Sequence, residues 1–284
     1  MFGLEELRRE WKHPVTDRAA NTAVWDEAAE SFCKHAVPKW EDNPFLQEIE
    51  KKVKLYPGMR VLDIGCGTGI YSMAMASRAK EIIGVDLSPK MIAYARKKAD
   101  DAGIENVDFR CMDWPGAAEE EIEKLGKFDL VFAHMTPAVA DADSFFKMLR
   151  TASAHCFLVK PVRRSDSVLD KVKLAAGVEN RPDSFDKGML YAFGILWQRG
   201  LLPELSYRKE TWESERDLED AKKWYINKIR TYNPLEYEGE AKICRLLETL
   251  QENGTVKETV NTAISTMYWN MEETVDENYD SVLQ

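Results

Sequence analysis

In the stretch VLDIGCGTGIYS, Val61–Ser72, a short apolar run is followed by Gly65, Gly67 and Gly69 at every second position, and then by a helical stretch. Glycines spaced in this way after a strand let the backbone take conformations closed to other residues and approach a ligand closely. No other feature restricts the fold as much. Such a turn belongs between a strand and a helix of an α/β sheet, whose ligands bind at the carboxyl ends of the strands. A phosphate-cradling loop would end in Gly-Lys-Ser/Thr, where this chain has Thr68-Gly69-Ile70. The dinucleotide fingerprint GxGxxG would need its third glycine where Ile70 stands. Asp63, just before the turn, would repel a pyrophosphate but suits a ligand with an ammonium group.

The surrounding pattern agrees with an α/β sheet. RVLDI (60–64), EIIGVD (81–86), NVDFRC (106–111), FDLVFAH (128–134) and HCFLVKPV (155–162) read as strands. Helices fall between them: IYSMAMASRA, a segment begun by Ser88-Pro89 and ended by Gly103, an acidic segment ending at Gly126, and SFFKMLRTA. Beyond Val162 the pattern changes to a helix over 184–199 and then PELSYRKETW, whose long alternation suits an antiparallel or edge strand. Two helical segments follow within about 217–253, then the β-rich TAISTMYWN and an acidic tail that reads as loose. Residues 1–50 read as a separate helical cap, with Trp25, Ala28, Ala29 and Phe32 on one stripe. The expected organisation is therefore a cap (1–50) and one doubly wound α/β domain (51–284) with a helical insertion at about 217–253.

The formal charge of −10 argues against a broad grip on nucleic acid, so DNA is not an expected partner. Arg163-Arg164 and Arg96-Lys97-Lys98 are too short to form a nucleic-acid face and read as solvated surface. The five cysteines are scattered, with no CxxC pair, which suits a reducing cytoplasm and implies no metal centre. Neither a signal-like segment nor a run of membrane-spanning length is evident, so a cytoplasmic protein without a membrane partner is expected.

Candidate ligand contacts fall in register at the carboxyl ends of successive strands. Asp86 ends the second, Met112-Asp113-Trp114 follows the third, and His134-Met135 ends the fourth. A carboxylate at Asp86 can accept from two ribose hydroxyls, and one at Asp113 from an adenine amino group. Together VLDIGCGTGIYS, GVDLSPKMIAYAR, VDFRCMDW and FDLVFAHMT resemble the class I, seven-stranded S-adenosylmethionine-dependent methyltransferases over roughly Pro57–Val162. The resemblance implies a mostly parallel Rossmann-like sheet of seven strands, with the last strand reversed. It also implies S-adenosylmethionine as methyl donor and S-adenosylhomocysteine as product. On this reading Gly65, Cys66, Gly67 and Gly69 would pass beneath the methionine portion, and Asp63 would act on its amino group. Asp86 would hold the ribose, Leu87 and Met91 would flank the adenine, and Asp113 would read its amino group beside Met112. Trp114 is either a ring cover or loop packing, and Trp25 either a lid over the cofactor or plain packing.

The acceptor is less legible. His134 is a candidate general base, against the alternative that its backbone contacts the cofactor while its imidazole packs aside. Tyr191, Trp197, Tyr225 and Trp269 are candidates for an acceptor pocket, against the alternative that they are core. AHMTP at the fourth strand lacks the NPPY-type sequence of amino methylation on nucleic-acid bases and glutamine amides. Helical covers that exclude water favour a small-molecule acceptor. The rival readings are a methyltransferase acting on a protein or RNA, and a non-catalytic protein that retains the cofactor site.

Overall fold

The computed structural model of the chain describes residues 3–12, 17–178, 187–231 and 234–275. Three helices come first: α1 (Leu4–Glu10), α2 (Arg18–Phe32) and α3 (Pro44–Lys52). Strands and helices then alternate as β1 (Arg60–Ile64), α4 (Ile70–Met75), β2 (Glu81–Asp86), α5 (Pro89–Asp101), β3 (Val107–Cys111), α6 (Glu119–Leu125) and β4 (Phe128–His134). They continue with α7 (Ala142–Thr151), β5 (Ala152–Asp166), α8 (Leu169–Ala175), α9 (Lys187–Gln198) and β6 (Glu204–Asp217). The last elements are α10 (Leu218–Arg230), α11 (Tyr237–Leu250) and β7 (Thr255–Asn270). Local chemistry starts the helices. Asp17, Asn43 and Ser88 each accept a backbone N–H from the first turn of α2, α3 and α5, and Pro44 and Pro89 occupy the early positions where a missing N–H costs nothing.

The seven strands form one sheet in the order β3-β2-β1-β4-β5-β7-β6, with β7 antiparallel to both neighbours. This is the doubly wound, mostly parallel sheet with a reversed last strand that the sequence implied. Alternation along the central strands builds two cores on opposite faces. Leu62, Val131, Ala133, Cys156 and Leu158 pack on one side with α7 and α9. Val61, Leu130, Phe132, Phe157 and Val159 pack on the other with α3.

Several elements differ from the sequence reading. Helix α1 falls in the segment read as helical, α8 was not expected, and the described part of the helix expected over 184–199 is Lys187–Gln198. The expected loose tail beyond 275 lies outside the described residues. The three antiparallel-paired strands are longer than their apolar segments. β5 runs to Asp166, β6 to Asp217, and β7 begins at Thr255. β4 leaves the sheet at His134, opposite Val159, so the far ends of β5, β7 and β6 continue as a ribbon past the carboxyl edge of the parallel sheet.

The register of β5 against β7 shifts between Pro161 and Arg163. Pro161 has no N–H to give to a ladder, and a bulge here accommodates it. One extra residue reverses which side chains face which way. Arg164 and Asp166, opposite Thr262 and Val260, therefore share a face with Glu258, Val260 and Ile264.

Gly69, which precedes α4, has a left-handed backbone (φ 73°), and an added Cβ would lie 2.4 Å from the Phe109 ring and 3.2 Å from Ala95. Gly69→Ala is expected to cost about 1–3 kcal/mol, from strain and overpacking together. Urea unfolding checks this, and an unchanged midpoint would contradict it.

Candidate active site

A cavity of about 1080 Å³ opens at the carboxyl ends of β1, β2 and β4, and runs between the glycine turn, α2, the ribbon and α10. Pockets for one drug-sized ligand occupy roughly 300–1,000 Å³. This one has room for a nucleoside and a second molecule.

The turn is held by its neighbour strand. Gly65 and Cys66 donate their N–H groups to the Val85 carbonyl, at 2.7 and 3.0 Å. Gly67 donates to Asp86 Oδ2 and Ser88 to Asp86 Oδ1, each at 2.9 Å. Burial raises the Asp86 carboxyl above its ordinary range, while these backbone donors oppose the shift. Gly67 has φ 54°, and an added Cβ would meet nothing closer than the Met91 sulfur at 4.0 Å. The turn thus leaves an open cradle that only a side chain would fill. Cys66 lines the cavity with its thiol pushed well above the ordinary value by burial, so it is no nucleophile. Gly69, expected beneath the ligand, is instead against Phe109 and does not line the cavity.

Asp63 is buried beneath the turn and accepts a 2.7 Å hydrogen bond from Ser72 Oγ. Burial pushes its carboxyl up to about 7, with the nearby Asp86 charge adding to the shift. Such a group gains from a cation brought beside it.

Leu87, Met91, Met112 and Asp113 also line the cavity. Asp113 pairs with Arg18 at 2.8 Å, tying the start of α2 to the loop after β3. Lys147 from α7 holds the same loop by donating to the carbonyls of Trp114, Pro115 and Ala117. Trp114 is buried and donates its indole N–H to the Ser144 carbonyl, so it anchors the loop in the core while touching the cavity. Trp25 lines the cavity from α2. Its helix packs on α5 and α10 through Ala28, Ala29, Met91 and Trp224.

His134 reaches the cavity but is not suited to be a base. Its ring lies 4.4 Å from those of Phe45 and Tyr71, and its Nε2 is buried with no partner. Burial, with the Arg208 charge adding to it, lowers the imidazole to about 3. Effective general bases have pKa values near the working pH, so the general-base expectation is corrected. Met135, next in the chain, has φ 54°, which is uncommon outside glycine and marks a constrained turn at the cavity wall.

Of the aromatic residues expected around an acceptor, only Tyr225 lines the cavity. Tyr191 stacks on Trp11 of the chain's first segment, 6.0 Å between ring centres. Trp197 is 61% exposed and stacks on Phe193. Trp269 is buried in the core against Phe145, because odd-numbered residues of β7 face away from the cavity here. The reading of Arg164 as solvated surface is likewise corrected, since it lines the cavity. Charged residues on one face of the ribbon were missed altogether: Arg208, Glu210, Arg216, Asp166 and Glu258, with Lys228 from α10. The period-two spacing of Arg208, Glu210, Trp212, Ser214 and Arg216 was the available signal.

With this geometry in view, residues 55–176 match the family described as "Methyltransferase domain". Over these residues the chain is similar to methyltransferases, and its sheet has the strand order of the methyltransferase fold. Among curated relatives, the ubiquinone biosynthesis O-methyltransferase of Acinetobacter baumannii (strain AYE) is 30% identical over 139 residues, 48% of this chain and 53% of that protein. The enzyme of the same name from Bordetella avium is 34% identical over 139 residues, 48% of this chain and 52% of that protein. The chain thus spans about half the length of the curated relatives it matches. Among solved structures, Haemonchus contortus phospholethanolamine N-methyltransferase 2 is similar in fold, with a TM-score of 0.50 and 15% identity over 86% of this chain and 56% of that one. That structure is a complex with phosphomonomethylethanolamine and S-adenosylhomocysteine. Among the described residues, no helix is long and apolar enough to cross a membrane.

Two measurements test these electrostatics. The His134 imidazole is expected to stay neutral from about pH 5 upward, so its NMR signals should not titrate there; a midpoint near 6.5 would contradict the assignment. Asp63 keeps its proton up to about 7 in the folded chain, but loses it near roughly 3.9 when unfolded. Its stabilising contribution is therefore present at low pH and lost as pH rises through that window. Relative to the wild type, Asp63→Asn should gain stability across it, by at most ~1.4 kcal/mol per pH unit, and gain nothing further above. Urea unfolding at about pH 5 and about pH 8 reads the difference, and a constant offset would contradict it.

Proposed function

We propose that the protein transfers a methyl group from S-adenosylmethionine to a small-molecule acceptor, leaving S-adenosylhomocysteine. The observation that carries this reading is the open cradle over Gly67, fastened to Asp86 at the mouth of a cavity that continues under α2 and α10. When bound, the sulfonium supplies an activated methyl group that needs only a well-placed nucleophile.

The chain's residues fit that ligand. A carboxylate has about four lone-pair sites, and backbone donors take one on each Asp86 oxygen, leaving sites for ribose hydroxyls. Asp63, with its raised proton affinity, would release that proton and pair with the methionine ammonium. Gly65 and Gly67 bring the backbone close. Leu87 and Met91 would flank the adenine, and Asp113 would accept from its amino group beside Met112 and Trp114. Trp25 would cover the ligand from α2. His134, Phe45 and Tyr71 form a wall that stays neutral.

Catalysis then rests on position. Holding two reactants in line and excluding water can supply roughly 7–11 kcal/mol in favourable cases. The roof of α2 and α10, and a formal charge of −10, favour a small acceptor over RNA or a protein surface. The relatives named ubiquinone biosynthesis O-methyltransferases support the same class of acceptor.

Calorimetry with S-adenosylhomocysteine tests the reading, and wild-type protein should bind it. Asp86→Ala should weaken binding by about 1.5–3 kcal/mol for each charged hydrogen bond lost. No binding by the wild type would overturn the reading, and equal binding by the variant would overturn the ribose contact.

A further inference from the structure

The outer half of the cavity is walled by one face of the ribbon and by α10. β6 presents Arg208, Glu210, Trp212, Ser214 and Arg216 at alternate positions, opposite Ile264, Thr262, Val260, Glu258 and Val256 of β7. β5 adds Arg164 and Asp166, and α10 adds Tyr225 and Lys228.

The acids in this wall are already occupied. Asp166 Oδ1 accepts from the N–H groups of Val168 and Leu169, and its Oδ2 accepts from Arg164 at 3.2 Å. Glu258 accepts from Tyr225 Oη at 2.7 Å and from Ser214 Oγ at 3.2 Å. Burial, and then the hydrogen bond and charge of neighbouring Asp166, push the Glu258 carboxyl above the ordinary carboxylate range. Arg208, nearer His134, is matched by Glu210 at 2.6 Å.

Arg164 is matched by Asp166, but Lys228 and Arg216 are not matched in the same way. Lys228 has no ion-pair partner among the described residues, and its Nζ stands 5.4 Å from the centre of the Trp25 ring. Arg216 lies over the Trp224 ring at 4.3 Å. The Nε atoms of Arg216 and Arg164 are buried without a hydrogen-bond partner. Lys228 lies within electrostatic reach of Arg164 and of the already occupied Asp166 and Glu258, and Arg216 within reach of Tyr225. Ring faces steady the two cations but accept none of their directional hydrogen bonds. Buried donors without acceptors are costly, and a ligand that supplies acceptors relieves the cost.

We propose that this outer half is an anion-binding subsite, in which Lys228, Arg216 and Arg164 hold a carboxylate or phosphate group carried by the methyl acceptor. Calling the ligand the acceptor rests on the methyl-transfer reading; the anion site itself does not. The anion enters beside Trp25 and Trp224, and its charge orients the rest of the molecule along the ribbon toward Arg208 and His134. Arg216 gives the fork geometry that matches two oxygens, and Lys228 a point charge.

The test is calorimetric titration of the protein, alone and loaded with S-adenosylhomocysteine, using benzoate, phenyl phosphate and neutral phenol as probes. One of the two anions should bind, and phenol should bind much more weakly. The tighter anion identifies the carboxylate or the phosphate source. Lys228→Met and Arg216→Gln should each weaken that anion about tenfold or more. Lys228→Arg should retain it, and S-adenosylhomocysteine affinity should be unchanged in all three variants. Equal anion affinity in wild type and Lys228→Met, or phenol binding as tightly as the anions, would overturn the subsite. Loss of S-adenosylhomocysteine binding by the wild type would instead overturn the methyl-transfer reading, while titration of the unloaded protein still decides the anion site.

Discussion

The carboxylate of Asp86 accepts one hydrogen bond from the Gly67 N–H and one from the Ser88 N–H, and so ties the glycine turn to the start of α5. Everything at the mouth of the cavity is placed through that junction. The turn cannot relax away from β2 without leaving a buried acid short of donors, a cost of about 1–3 kcal/mol for each group unpaired. Ser88, in turn, caps α5 and brings Met91 over the turn. Asp63 and Ser72 form a second buried link one layer below. These hydrogen-bonded links lie where the cofactor reading needs the turn to be held.

The second half of the cavity is built on a different principle. Past the end of β4, three antiparallel strands continue without a parallel neighbour. One face of that ribbon is closed by α8, α10 and α11, whose apolar residues form their own core around Tyr225, Ile229, Ile243 and Val256. The other end of the roof is α2, which meets α10 through an Asn227–Glu27 hydrogen bond and the packing of Trp25 and Trp224. The nucleoside end thus rests on local turn geometry, and the acceptor end on contacts between elements far apart in the chain.

That division decides how much was legible in the sequence. Gly65, Gly67, Asp86 and Asp113 lie within a few residues of a strand end, so spacing alone locates them. Five of the seven strands were readable from short apolar runs for the same reason. The acceptor end depends on parity and partnership. A bulge between Pro161 and Arg163 turns Arg164 inward, and no period-two count from Val159 foresees it. Trp269 and Ile264 lie on one strand with opposite facing, so an aromatic in TAISTMYWN does not declare its side. Tyr191 read as a pocket candidate or core, and what decides between them is its stacking on Trp11, a contact between segments far apart in the chain. His134 lines the cavity, but its burial between Phe45 and Tyr71 is a long-range contact that decides its chemistry.

The central claim is that one cavity holds a nucleoside over the glycine turn and a second molecule against the ribbon. A crystal structure of the full chain grown with S-adenosylhomocysteine tests it most directly. The ligand's ribose is expected on Asp86 and its sulfur end directed toward His134, with the space beside Arg216 and Lys228 left open. Density for the ligand against the ribbon, or away from Gly65 and Gly67, would contradict it.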